Sequence, residues 1–392
     1  MHNRSKILIL ISAFLPGYKS GGPVPSIAHL VGHLGDEFAF SILTADRDME
    51  DSEPYPGLPS DRWIDAYGAR IRYASPQEFS PLRLAATIRA TPHDLLYINS
   101  FFDARSSVMP LVARRFGLLP AVPTLLAPRG QFSAGAVALK STKKRAYMRG
   151  GRALGLFRDL HWHASTEYEA ADIRAVMDIS PDRIGVASDL VAPLPDAPPP
   201  HRPRAPGTPL RVLFLSRISP KKNLDFALKA LAGIGVSIDL TVAGPQEDAA
   251  YVARCRDLAH SLPAHVKVRW VGPIAPENVP EMMAAHDLFF LPTMGENFGH
   301  VIAEALGAGT PVLLSDTTPW RGLSAHGVGD DLPLDRPERF QEAIEAAWRR
   351  DVREAARMRQ SAAAFARHRQ RDGGDVQANR ILFHSVLAGA LP

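Results

Sequence analysis

Hydrophobic positions along the chain come in short, dense runs rather than in long stripes. Ile7-Leu8-Ile9-Leu10-Ile11 is apolar at every position, as a strand buried on both faces requires. Similar runs predict strands at 6–12, 39–44, 95–99, 124–127 and 161–164, and again at 211–216, 238–243, 267–271, 288–291 and 311–314. Between them, helical patterns fall at 25–34, 82–90, 110–116 and 167–177, then at 224–232, 249–261, 280–285 and 301–308. Strand–helix alternation at this spacing predicts α/β architecture, with parallel sheets covered on both faces.

One stretch breaks the alternation. Pro193, Pro195, Pro198, Pro199, Pro200, Pro203, Pro206 and Pro209 permit neither a helix nor a central strand, and read as an extended linker. The expected organisation is a doubly wound Rossmann-like domain over 1–192, the linker over 193–209, and a second such domain over 210–370. A final helix over 371–392 is expected to pack back on the first domain, and the two domains to face each other across a ligand cleft.

Composition narrows the class. The 392 residues are 46% hydrophobic and 22% charged, which excludes a disordered tail, a collagen-like repeat or a disulfide-stapled miniprotein. The one cysteine, Cys255, allows neither an internal disulfide nor a cysteine-based zinc site. A net charge of +4 is too small to point to nucleic acid. No run reaches the roughly 18 apolar residues of a membrane span. The basic, apolar start lacks a cleavage signal and reads as a first strand, so a cytoplasmic protein is expected.

Ligands of doubly wound sheets sit at the carboxyl ends of the strands. No G-x-G-x-x-G or G-x-x-x-x-G-K-[ST] follows a first strand, which disfavours dinucleotide dehydrogenases and P-loop enzymes. The densest signal is Met294-Gly-Glu-Asn-Phe-Gly-His-Val-Ile-Ala-Glu304. There a strand runs through a glycine loop into a helix whose free N–H groups at Phe298, Gly299 and His300 can meet an anion. Arg217 follows the first strand of the second half and Lys222 precedes the next helix. A guanidinium and an ammonium at one strand end suit a diphosphate.

Arg217 with Lys222, followed by Glu296 and Glu304 in an E-x7-E arrangement, resemble glycosyltransferase family 4 of the GT-B class. Ala243-Gly244-Pro245 and Val271-Gly272 stand where that family turns after strands. The resemblance covers most of the second domain and continues more weakly through the first. It implies a retaining transfer of sugar from a UDP- or GDP-sugar, by front-side displacement and without a metal. Arg217, Lys222 and Glu296 would be the catalytic group, with Gly22, Gly244, Asn297, Phe298, Gly299, His300 and Glu304 completing the donor site. Glu304 would hold the ribose hydroxyls and Glu296 the transferred sugar.

In the first domain, Gly21-Gly22-Pro23, Asn99 and Arg129 lie just after strands and are expected to touch the acceptor. Many relatives carry histidine where Arg129 stands, and Pro-Asn where this chain has Ala187-Ser188-Asp189, so a histidine-assisted step is in doubt. From Lys140 to Arg158 there are seven basic residues and no acid. Lys143, Lys144 and Arg145 within it suit an anionic membrane surface or an anionic acceptor such as a polyprenyl-diphosphate-linked saccharide. The Gly150-Gly151 pair is expected to break that helix. The expected setting is bacterial surface or exopolysaccharide assembly, at the inner face of the plasma membrane.

Two further motifs have plainer readings. Asp46-Arg47-Asp48 matches the D-x-D metal motif of the GT-A class, but three residues match by chance too often to outweigh a two-domain layout. His161 and His163 share a strand face without an evident third metal ligand. The rival functions are a nucleotide-sugar epimerase of the same fold and a non-catalytic protein that binds nucleotide sugars or a membrane surface.

Overall fold

The computed structural model describes residues 4–49, 51–133, 141–195 and 197–389. The chain divides into two compact units, Met1–Val191 with Gly374–Pro392, and Ala192–Gly373. Each is built on its own sheet.

The first sheet contains β1 (Ser5–Leu10), β2 (Phe38–Ala45), β3 (Trp63–Ala66), β4 (Ala69–Ala74), β5 (Leu95–Asn99), β6 (Thr124–Ala127), β7 (Leu160–Ala164) and β8 (Ile184–Val186). Their order is β3-β4-β2-β1-β5-β6-β7-β8. All pairs are parallel except β3 with β4. The unbroken apolar run of β1 has a simple cause. Ile7, Ile9 and Ile11 enter the core on one face, and Leu8 and Leu10 the core on the other.

The second sheet contains β9 (Leu210–Leu215), β10 (Ile238–Ala243), β11 (Val266–Gly272), β12 (Leu288–Leu291), β13 (Val312–Ser315) and β14 (Gly329–Leu332). It is parallel throughout in the order β11-β10-β9-β12-β13-β14. The direction of winding reverses between β9 and β12. Loops leaving the carboxyl ends of two such strands diverge and leave room for a ligand.

Three local features add to or change the sequence reading. The hairpin β3–β4, turned at Tyr67 and Gly68 with φ of 50° and 76°, has too little apolar pattern to be read as strands. The proline-rich stretch has neither helix nor strand among its described residues, and its polar groups are fastened to the rest of the second unit. Leu194 N donates to Gln370 Oε1 at 3.0 Å, His201 Nδ1 meets Ala284 O at 2.7 Å, and Arg204 Nη2 donates to Trp348 O at 2.5 Å. Finally, the helix Ser141–Ala153 runs straight through Gly150 and Gly151. Glycine at 151 makes room for an aromatic ring, since a Cβ there would sit 2.4 Å from Phe157 Cζ.

The helix Asp375–Leu387 returns to the first unit. Leu382, Phe383 and Val386 are buried in its core, with Phe383 packed at 5.7 Å from Phe38 and 5.3 Å from Tyr97 between ring centroids. Asn379 Nδ2 donates to Ser188 O at 2.8 Å, and Arg380 Nε bonds Glu37 Oε2 at 2.6 Å.

Candidate active site

The loops after β9 and β12 are tied into one body. Met294 N donates to Lys221 O at 2.8 Å, Thr293 Oγ1 to the same carbonyl at 3.1 Å, and Asn223 Nδ2 to Pro292 O at 2.9 Å. Asn223 reaches that carbonyl from a left-handed conformation, φ 62°, which asparagine tolerates better than most residues. From the β13 side, Ser315 Oγ and Thr317 Oγ1 donate to Thr293 O. These bonds bring together residues 74 positions apart, so that Lys222 Nζ bonds Glu296 Oε1. Only 13% and 10% of these side chains are exposed, so water screens the pair weakly.

Arg217 stands at the same sheet end but is paired elsewhere. Its Nη1 bonds Glu247 Oε1 at 2.8 Å, with 39% and 25% of the two side chains exposed. The turn after β10 enforces this pairing. Ile218 N donates to Pro245 O at 2.7 Å, zipping the loops after β9 and β10. Gly244 makes the approach possible at φ 127°, because a Cβ there would lie 1.9 Å from Ser216 O.

Beyond Glu296 the chain turns at Gly299, φ 85°, and opens the helix His300–Gly307. No side chain caps it, and its first turn is closed by Ile302 N, which donates to Gly299 O at 2.9 Å. The turn itself is held from outside by Trp320 Nε1, which donates to Phe298 O at 2.7 Å. The Arg369 guanidinium covers the Trp320 ring at 4.2 Å. Glu304, one turn along, has an exposed side chain, yet desolvation by surrounding protein raises its pKa, with His300 opposing. Arg217, Lys222, Gly244, Glu296, Phe298, Gly299, His300 and Glu304 therefore all belong to the carboxyl end of one sheet.

The first-unit candidates divide differently. Gly22 is the N-cap of the helix Pro23–Leu34, and Gly21 turns at φ 70° ahead of it. The loop before them hangs on the D-x-D motif. Asp48 Oδ2 accepts from Tyr18 N at 2.8 Å and Lys19 N at 3.1 Å, while Asp46 bonds Arg47 Nε and Ser60 Oγ, both at 2.8 Å. Both carboxylates thus hold backbone and side chains in place. In the basic segment, Lys143 and Arg145 are exposed, whereas Lys144 Nζ lies over the Phe102 ring at 4.9 Å. Lys140 falls outside the described residues.

Arg129 and Asn99, expected to touch the acceptor, lie buried within the first unit. The Arg129 guanidinium bonds Asp189 Oδ1, Asn99 Oδ1 (3.0 Å) and Tyr97 OH (2.8 Å), and only 6% of its side chain is exposed. Asn99 is itself buried. The Arg129 guanidinium and Asn99 Oδ1 are thus engaged with each other and with Asp189 and Tyr97 inside the unit, while Asn99 Nδ2 is buried without a hydrogen-bond partner among the described residues. Tyr97 OH donates onward to His163 Nδ1 at 2.6 Å, and His163 Nε2 donates to Ala187 O at 2.8 Å, so the imidazole is a neutral link rather than a metal ligand. Glu169 closes the cluster by accepting from Gly130 N at 2.6 Å and Ser165 N at 2.8 Å.

Burial, then the nearby Arg129 charge, lowers the His163 pKa to about 4. An unfolded chain protonates this imidazole near its ordinary value of 6.5, whereas the folded chain resists. Stability conferred by neutral His163 is therefore intact above pH 6.5 and declines as pH falls towards about 4. The full effect is about 3 kcal/mol. Urea unfolding midpoints measured across that window should show the decline, and His163→Gln should flatten it. An unchanged slope in the variant would show that other groups cause it.

Sequence reading overlooked Glu247, Thr293 and Trp320 in the second unit, and Tyr97 in the first. Glu247 was within reach, since it ends the Gly244-Pro245-Gln246-Glu247 turn after a strand adjacent to β9. Nothing local marked Trp320, which acts through a carbonyl 22 residues away.

Comparison with known proteins bears on the fold and the family. Residues 200–365 match the family described as glycosyl transferases group 1. D-inositol 3-phosphate glycosyltransferase of Corynebacterium efficiens is 31% identical over 164 residues, 38% of this chain and 38% of that protein. Phosphatidyl-myo-inositol mannosyltransferase of Mycobacterium tuberculosis is 30% identical over 189 residues, 46% and 48% of the two chains. The matched region thus spans less than half the length of these relatives. Among solved structures, HepE of Anabaena in complex with UDP and glucose has a TM-score of 0.68 at 18% identity, covering 98% of this chain and all of that one. Sucrose-phosphate synthase of Thermosynechococcus elongatus scores 0.68 at 17% identity, again over 98% of this chain. The fold is GT-B, and the matches support a glycosyltransferase of the family 4 type.

Proposed function

We propose that the chain is a glycosyltransferase that takes a sugar from a nucleotide diphosphate donor and delivers it, with retention, to an acceptor hydroxyl. The observation that carries this reading is the Lys222–Glu296 pair, pinned by two loops at the switch point of the second sheet beside an uncapped helix start. Sugar transfer from such a donor develops negative charge on the departing diphosphate. Preorganised cations and N–H donors stabilise that charge without reorganising. Lys222 and Arg217 supply the cations, and the N–H groups at Gly299 and His300 supply the dipoles. Glu296 orients the sugar and Lys222 together, and Glu304 accepts from the ribose hydroxyls.

In the proposed step, the bond from the anomeric carbon to the phosphate oxygen breaks as the acceptor oxygen bonds the same face. The acceptor's proton passes to the departing phosphate. No side chain need become covalently attached. The acceptor reading rests on the first unit, where Gly21, Gly22 and Pro23 edge the strand end and Lys143 and Arg145 offer exposed positive charge. An anionic saccharide carrier, lipid-linked and presented at a membrane surface, suits that charge. Among the described residues no helix is long and apolar enough to cross a membrane, so any membrane contact would be through a surface.

A thermal-shift series with UDP, GDP, ADP and their sugars, each with and without EDTA, tests the donor reading. Ligand at 100 times its dissociation constant adds about 2.7 kcal/mol, which is roughly 5–10 °C for a unit of this size. One base should give an EDTA-insensitive shift. If no nucleotide shifts the transition, the donor reading fails. A shift abolished by EDTA would overturn its metal-free form.

A further inference from the structure

Both cations assigned to the diphosphate are already paired with carboxylates. Arg217 is paired with Glu247 and Lys222 with Glu296, so a diphosphate cannot be met by two bare cations. It must take over at least one of them from a carboxylate. The two pairs differ in how readily they yield. Lys222 and Glu296 are almost dry and pinned by the hydrogen-bonded loops around them, and separating such a pair leaves an uncompensated charge in a poorly hydrated place. Arg217 and Glu247 are wet, and exposed pairs are worth only about 0–1 kcal/mol. Glu247 can be left alone in water at little cost.

We propose that Glu247 is a resident competitor for Arg217, holding the guanidinium until a nucleoside diphosphate displaces it and reclaiming it when the product leaves. The proposal rests on the donor-site reading above and adds a residue that has no role in it. Glu247 is placed for this exchange by the turn after β10. Gly244 lets that turn touch Ser216, and Ile218 N is bonded to Pro245 O, so the backbone that carries Glu247 is held beside the loop that carries Arg217. A long cation whose partner is a solvated carboxylate swaps partners without being desolvated twice. The competition weakens binding of donor and product alike, and its main consequence is faster release of the nucleoside diphosphate product.

Isothermal titration of UDP, GDP and ADP into the intact protein and into Glu247→Gln tests this. Loss of the competitor should tighten binding of the preferred nucleotide about 3- to 5-fold at low salt, through slower dissociation. The gain should fade by about 0.5 M salt, where the screening length falls to a few ångströms. In an Arg217→Ala background the same substitution should change nothing, since its effect runs through the guanidinium. The transition temperature of Glu247→Gln should match the parent. Unchanged affinity in Glu247→Gln overturns the proposal alone. Weaker affinity also overturns it, because it would mean that Glu247 contacts the nucleotide. If the parent protein binds none of the three nucleotides, the donor-site reading falls, and this proposal with it.

Discussion

Lys222→Ala should lower kcat/KM for sugar transfer by about 10²- to 10³-fold, the range typical of losing one preorganised charge-stabilising donor. The loss has two parts. The diphosphate loses an ammonium, and Glu296 is left as an unpaired carboxylate in a site only a tenth exposed, where it repels the phosphates. Because the unpaired charge also weakens folding, the control is Glu296→Gln in the same background. That double variant should regain the transition temperature of the parent while remaining inactive. Initial rates with the preferred donor, alongside thermal unfolding, separate the two effects. A Lys222→Ala protein that keeps its rate within threefold of the parent would remove Lys222 from the mechanism.

Arg129→Met should be the most destabilising single substitution in the first unit. It removes the guanidinium that Asp189, Asn99 and Tyr97 share in a buried cluster, and breaking a buried pair on one side costs about 3–5 kcal/mol. For a domain of this size, that is a fall of roughly 6–20 °C. Arg129→Met with Asp189→Leu removes both charges and should recover most of the loss, because paired burial contributes little net stability. Differential scanning calorimetry of the three proteins decides the matter. A fall below about 2 °C in the single variant would mean that the guanidinium is not buried as described.

Much of the architecture was legible because buried parallel strands leave a strong mark. Ile7–Ile11 and Leu288–Leu291 are apolar at every position for the plain reason that both sheet faces are covered. The loops that follow them could be located for the same reason, and with them Arg217, Lys222, Glu296 and Glu304. What remained hidden was pairing across the chain. Arg129 looked like a cation on a strand end, and only the fold brings Asp189 to it from 60 residues away. Arg217 and Lys222 looked alike, yet one is wet and one nearly dry, a difference set by which loop closes over each. Gly150 and Gly151 looked like a break because local propensity penalises glycine in helices, whereas packing against Phe157 outweighs that penalty.

The return of the helix Asp375–Leu387 to the first unit fixes an order of events during synthesis. The strands of that unit leave the ribosome before the second unit, but the core around Phe38, Phe40 and Tyr97 is incomplete until Phe383 arrives. The whole of the second unit, contiguous from Ala192 to Gly373, is made in the interval and can complete its own core. The unit begun first is therefore finished last. A nascent chain stalled before residue 374 would present an unfinished apolar face after the second unit is complete, the kind of surface that chaperones recognise.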